Sequence, residues 1–169
     1  MKDRLHVALL WLWKRLPLPR WGRWAVLALL NTKFLVGVVG IVFDEQERFL
    51  LLHHTYRQRY PWGLPGGWVS GSERLEHALQ RELREETGYE IAVGEVLHVR
   101  SGYPRPQLDI YFLCTYRGGD FRPNAEVDAA RFCTLDDLPA ALLPNQRPLI
   151  ELALARKRAR EHNETKGTQ

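Results

Sequence analysis

Three carboxylates within five residues, Glu82, Glu85 and Glu86, are the side chains of this sequence best spaced to do chemistry. They sit in Leu75-Glu76-His77-Ala78-Leu79-Gln80-Arg81-Glu82-Leu83-Arg84-Glu85-Glu86-Thr87, whose apolar positions recur at helical spacing. Stepped at 100° per residue, Leu75, Ala78, Leu79 and Leu83 form one stripe, and Glu82 and Glu86 fall within about 20° of Leu75, inside that stripe. Glu85 lies on its flank, while His77, Gln80, Arg81 and Arg84 take the opposite, solvated side. The ordinary reading of so charged a run is a salt-laced surface helix. Such a helix would set its glutamates opposite its leucines, and this one does not. Carboxylates sharing an inward face repel one another and lose hydration, so they need a compensating cation. With only hard oxygen donors and no Cys or His among them, that cation is Mg²⁺ or Mn²⁺ rather than zinc.

The elements around these residues must aim them. Gly66-Gly67 and Gly71-Ser72 mark turns, Ser72 offers a capping hydroxyl, and the helix is expected from about Glu73 to Thr87, with Gly88 ending it as a left-handed cap. Upstream, Leu35–Phe43 is a continuous β-rich apolar run, read as a buried strand, and Phe49–His53 reads as its hairpin partner. His53 and His54 are read as strand-end or surface residues rather than ligands. Tyr56-Arg57-Gln58-Arg59-Tyr60-Pro61-Trp62 interleaves bases with aromatics. Arg57, Arg59 and Trp62 are therefore candidates for holding a phosphate and stacking a base, against the alternative of an exposed loop with Trp62 tucked beneath the glycine turn.

Gly67, then Glu73, then Arg81-Glu82-Leu83-Arg84-Glu85-Glu86-Thr87-Gly88-Tyr89 resembles the complete signature of the Nudix hydrolases, at that family's spacing. The signature covers 23 residues, and the surrounding strand pattern resembles the family from about Phe34 to Arg156. The resemblance implies an α/β fold, an α/β/α sandwich around a mixed β-sheet. It implies hydrolysis of a diphosphate bond in a nucleoside diphosphate linked to another moiety, such as a nucleoside triphosphate, ADP-ribose or a nucleotide sugar. It also implies Mg²⁺ or Mn²⁺ held by Glu82, Glu85, Glu86 and the carbonyl of Gly67. Arg81 would pair with a glutamate of the signature and orient it, and Glu73, at the helix start, would be structural. A glutamate just before a late strand often serves such enzymes as a further ligand or base, and Glu126 occupies that place. Glu82, Glu86 and Glu126 are thus the candidates for taking a proton from the attacking water. Two other readings stand beside this one: a nucleotide sensor without turnover, which usually lacks some of these carboxylates, and a pyrophosphohydrolase of RNA 5′ ends, for which the chain carries no RNA-binding motif.

The 169 residues suit one domain, residues 34–160, with a core large enough to fold alone. The net charge of +4 suits a polyphosphate substrate without arguing for nucleic acid. Cys114 and Cys133 read as core residues in a reducing compartment, in keeping with a cytoplasmic protein. Residues 1–33 differ from the rest: seven bases face one acid, and four of the six tryptophans are here. The apolar runs Leu5–Trp13 and Trp24–Leu30 are too short to span a bilayer. This extension is expected to be helical. It could close over an open face of the catalytic domain, touch a membrane surface through Trp and Arg/Lys, or form an oligomer contact. After the signature, Ile91–Val99 and Leu108–Tyr116 read as strands. A last helix is expected from about Gln146 to Arg160, ending in a basic cluster that complements its dipole, and residues 161–169 read as a frayed polar tail.

Overall fold

The computed structural model describes residues 19–102 and 104–166, so the Leu5–Trp13 run lies outside the described residues. The chain divides between Lys33 and Phe34 into two units. The described part of the first is helix α1, Arg20–Leu30, which starts after Pro19 and is closed by Asn31. The Asn31 side-chain amide donates to the Leu27 carbonyl at 2.8 Å. Among the described residues, no helix is long and apolar enough to cross a membrane.

The second unit is a mixed sheet with helices on both faces. Its strands are β1 (Leu35–Phe43), β2 (Phe49–His54), β3 (Trp62–Gly63), β4 (Gly66–Trp68), β5 (Glu90–Ser101), β6 (Gln107–Gly118) and β7 (Val127–Cys133). Its helices are α2, Leu75–Thr87, and α3, Arg147–Lys166. The order is β3-β2-β1-β6-β5, with β4 also pairing β1 and β7 pairing β2. Every pairing is antiparallel except β1 with β6, which run parallel from Leu35↔Gln107 to Phe43↔Thr115.

Alternation along the strands makes two cores. Val38, Val42, Leu50, Leu52, Ile110 and Phe112 pack beneath α2, against Ala78, Leu79 and Leu83. Ile41, Phe43, Phe49, Leu51 and Tyr111 pack on the other face, against Ile150 and Ala153 of α3. The apolar run of β1 is continuous because both of its faces are covered.

Several local expectations need correcting. Helix α2 begins at Leu75, with Arg74 at the N-cap position and no side-chain cap. Ser72 takes a positive φ of 68° in the turn instead. Gly88 closes α2 as expected, at φ 77°, its N–H bonding to the Arg84 carbonyl at 2.9 Å. His54 ends β2, as the strand-end reading has it, but it is buried, 1% exposed. Strand β5 carries a register irregularity between Val93 and Val96, around Gly94. Helix α3 continues to Lys166, into the stretch read as a tail, because no glycine or proline interrupts it before Gly167. Its basic cluster is engaged in ion pairs: Arg156 and Arg160 each reach Glu95 at 3.4 Å, and Lys157 reaches Glu47 at 2.6 Å.

Candidate active site

Helix α2 lays Leu79 and Leu83 into the core, which carries Glu86 in beside them. Glu86 is only 8% exposed, and its Oε2 is buried with no hydrogen-bond partner. Burial pushes its pKa up to about 8, and the charges of Glu82, Glu126 and Glu85 add to that rise, while Arg57 opposes it. These four carboxylates therefore share one electrostatic neighbourhood, with Arg57 facing them.

Arg81 is the hub of the cluster. Its Nε and Nη2 grip Glu73 at 3.0 Å each, and Nη1 donates to Glu82 at 2.9 Å and to Glu85 at 3.1 Å. Nη2 also donates to the Trp68 carbonyl, at 3.2 Å, tying α2 to β4. The helical wheel gave Arg81 to solvent. The long side chain instead turns back along the helix toward the carboxylates and is half-buried. Glu73 is gripped by this two-pronged ion pair, which lowers its pKa.

Strand β4 brings backbone to the same place. It pairs with β1 through Val38↔Gly67. A Cβ on Gly67 would overlap the Glu82 side chain, lying 2.5 Å from both Cγ and Oε2. Only a glycine lets the backbone approach Glu82 this closely. Among the described residues, no three His, Cys, Asp or Glu side chains converge at metal-binding spacing, and the Arg81 bonds account for the orientation of Glu82 and Glu85.

Glu126 reaches the cluster from the loop before β7. Asn124 fixes that loop: its amide nitrogen donates to the Glu85 and Glu86 carbonyls at 3.1 and 3.2 Å. Its side-chain oxygen accepts from the Glu126 and Val127 N–H groups at 2.9 and 2.8 Å. The Glu126 carbonyl accepts from Thr55 N–H at the end of β2.

Beside Gly67 opens a cleft of about 390 Å³, lined by Tyr56, Arg57, Arg100, Asp109, Tyr111 and Gln146 among others. Arg57 enters it with one buried, unpartnered Nη1, packed where a Cβ on Gly63 would come within 2.6 Å. Asp109, 6% exposed, is held by Arg100 at 2.7 Å and Gln107 at 2.6 Å. Arg59 lies over the Tyr60 ring at 5.2 Å, and Trp62 packs edge-on against His53 at 5.2 Å; neither lines the cleft. Sequence reasoning gave no role to Asn124, Arg100 or Asp109. The one available signal was the acid at 109 inside the apolar strand Leu108–Tyr116.

The NUDIX domain profile matches residues 33–153. The putative 8-oxo-dGTP diphosphatase of Bacillus subtilis (strain 168) is 31% identical over 119 residues, covering 68% of this chain and 76% of its own. Putative nudix hydrolase 1 of Caenorhabditis elegans is 35% identical over 102 residues, covering 57% of this chain. The match spans only 27% of that relative's length. Among solved structures, an ADP-ribose pyrophosphatase from Streptococcus suis 89-1591 superposes with a TM-score of 0.63 at 27% identity, over 75% of this chain and 93% of that one. The signature running from Gly67 to Tyr89 thus lies inside the matched residues 33–153, and the chain belongs to the Nudix family.

Proposed function

We propose that this chain is a Nudix pyrophosphohydrolase, cleaving a diphosphate bond in a nucleoside diphosphate linked to a further group, with Mg²⁺ or Mn²⁺ held by Glu82, Glu85, Glu86 and the Gly67 carbonyl. The observation that carries the reading is Glu86: a buried carboxylate with an unpartnered oxygen, pressed by three other carboxylates. A polar group buried at that cost needs a positive charge to offset it, and a hard, all-oxygen donor set fits a hard divalent ion. When bound, such an ion neutralises phosphate charge and lowers the pKa of a water. The chain's own residues do the rest. Arg81 keeps Glu82 and Glu85 in place, Asn124 brings Glu126 toward Glu86, and Arg57 points a cation into the cleft, where a substrate phosphate would lie. Glu82, Glu86 or Glu126 takes the proton from the attacking water. The names of relatives, an 8-oxo-dGTP diphosphatase and an ADP-ribose pyrophosphatase, support substrates of the same chemical class.

The test is a panel of nucleoside triphosphates, ADP-ribose and nucleotide sugars, each incubated with Mg²⁺, with Mn²⁺ and with EDTA, beside the Glu86→Gln variant. Cleavage that requires metal and falls by roughly two to four decades in the variant is expected, the scale of a lost electrostatic stabiliser. A variant keeping more than a tenth of the wild-type rate overturns the role given to Glu86. Turnover undiminished by EDTA overturns the metal.

A further inference from the structure

Helix α1 carries two arginines in its first turn and otherwise only glycine and apolar residues, most of them exposed. Trp21 is 76% exposed, Trp24 72%, Leu29 85% and Leu30 76%, and Leu27 is exposed as well; Gly22 alone is buried. Large apolar side chains scattered singly on a surface are ordinary, but five on one eleven-residue helix are not. A short helix that exposes Trp and Leu and carries Arg beside them suits the interface between water and an apolar medium. At 1.5 Å per residue it is about 16 Å long, half of what a bilayer core requires, so it can lie in a membrane interface but not cross it.

Charge identifies the medium. From Arg4 to Phe43 the sequence has no acid, and six bases: Arg4, Lys14, Arg15, Arg20, Arg23 and Lys33. In α1 itself, Arg20, Arg23, Trp24 and Leu27 line one shallow depression of about 190 Å³, two guanidiniums beside an indole and a leucine. Among the described residues neither guanidinium has an ion-pair partner. Amphipathic indole rings settle at the headgroup level of a bilayer, and arginines there meet lipid phosphates. A second copy of α1 would bring two further arginines and no acid to answer them, so the charge disfavours self-association through this helix.

We propose that α1 docks the chain onto an anionic phospholipid surface, with Trp21, Trp24 and the leucines in the headgroup–acyl boundary and Arg20 and Arg23 on lipid phosphates. The proposal is independent of the hydrolase reading, and its test is separable from it.

The full chain is sedimented with vesicles of phosphatidylcholine alone and of phosphatidylcholine mixed with phosphatidylglycerol, at low and high salt. Binding to the anionic vesicles, weakened by salt, is expected. Each base at such a surface is worth about fivefold in affinity, so Arg20→Gln with Arg23→Gln weakens binding roughly 20-fold. Trp21→Ala with Trp24→Ala, which removes the buried anchor and leaves the charge, weakens it by at least tenfold. Both double variants keep wild-type hydrolysis of a soluble nucleotide, since α1 carries no residue of the carboxylate cluster. Absence of binding, or equal binding to neutral vesicles, overturns the proposal. So does a dimer in analytical ultracentrifugation that the tryptophan variant converts to monomer, since a second copy would then be what covers α1.

Discussion

At the scale of the residue, the site is governed by how closely groups approach one another. Gly67→Ala puts a methyl group where Glu82 lies. It should cost about 1–3 kcal/mol of stability by overpacking and roughly ten- to a hundredfold in kcat/KM by moving Glu82. A denaturant titration beside steady-state kinetics separates the two effects, and an unchanged kcat/KM would remove Gly67 from the site. His54 makes a different prediction. Burial, aided by Arg57 and His53, lowers its pKa from the ordinary 6.5 to about 4, and both ring nitrogens lack partners. The folded protein keeps the ring neutral where the unfolded chain would protonate it, so its contribution is intact above pH 6.5 and is lost as pH falls toward 4. The loss amounts to about 3 kcal/mol. Urea midpoints at pH 7 and pH 4.5 should diverge more in the wild type than in His54→Leu. The sequence made Glu82 and Glu86 legible because they violate the helix's own polarity. It read His54 as a strand end, which it is, without revealing that the ring is buried, and it gave Arg81 to solvent, although that side chain bonds Glu73, Glu82 and Glu85.

At the scale of the element, α2 and the loop before β7 meet through a single side chain. Asn124 satisfies two carbonyls in the last turn of α2, which have no partner inside the helix, and two N–H groups of the loop. Asn124→Ala should cost about 1–3 kcal/mol and release Glu126 from its position by Glu86. Its kcat should then fall well beyond what the lost folded fraction explains, while Asn124→Asp, which retains the acceptor half, should recover part of the rate. Equal kcat in wild type and the alanine variant, measured where both are folded, would make Asn124 a helix cap and nothing more. Elements of this length were largely readable: β1 matches its apolar run residue for residue, and α2 its leucine spacing, because burial on known faces writes a period into the sequence. The cleft was not readable. Arg100 becomes a neighbour of Asp109 only once β5 pairs with β6, and nothing local in the chain announces that register.

At the scale of the molecule, the carboxylate cluster weighs on stability, and the proposed cation would offset that cost. Without a cation, Glu82, Glu85, Glu86 and Glu126 face Arg57 and Arg81 with charge left over. In EDTA, Glu86→Gln should therefore melt above the wild type, although it is expected to lose activity. Saturating Mg²⁺ should raise the wild type by the mass-action term, about 2.7 kcal/mol at a hundredfold excess over Kd, and raise the variant by much less. Identical melting curves for the wild type with and without the metal would argue against a cation at the cluster. The parallel pairing of β1 with β6 bears on how the molecule is made. Its first contact, Leu35 with Gln107, joins residues far apart in the chain, and the segment between them contains β4, α2 and β5. Closing so long a loop is entropically slow. The central sheet therefore completes only when the signature helix has been enclosed, so catalytic competence and native β-structure should return in the same kinetic phase on refolding.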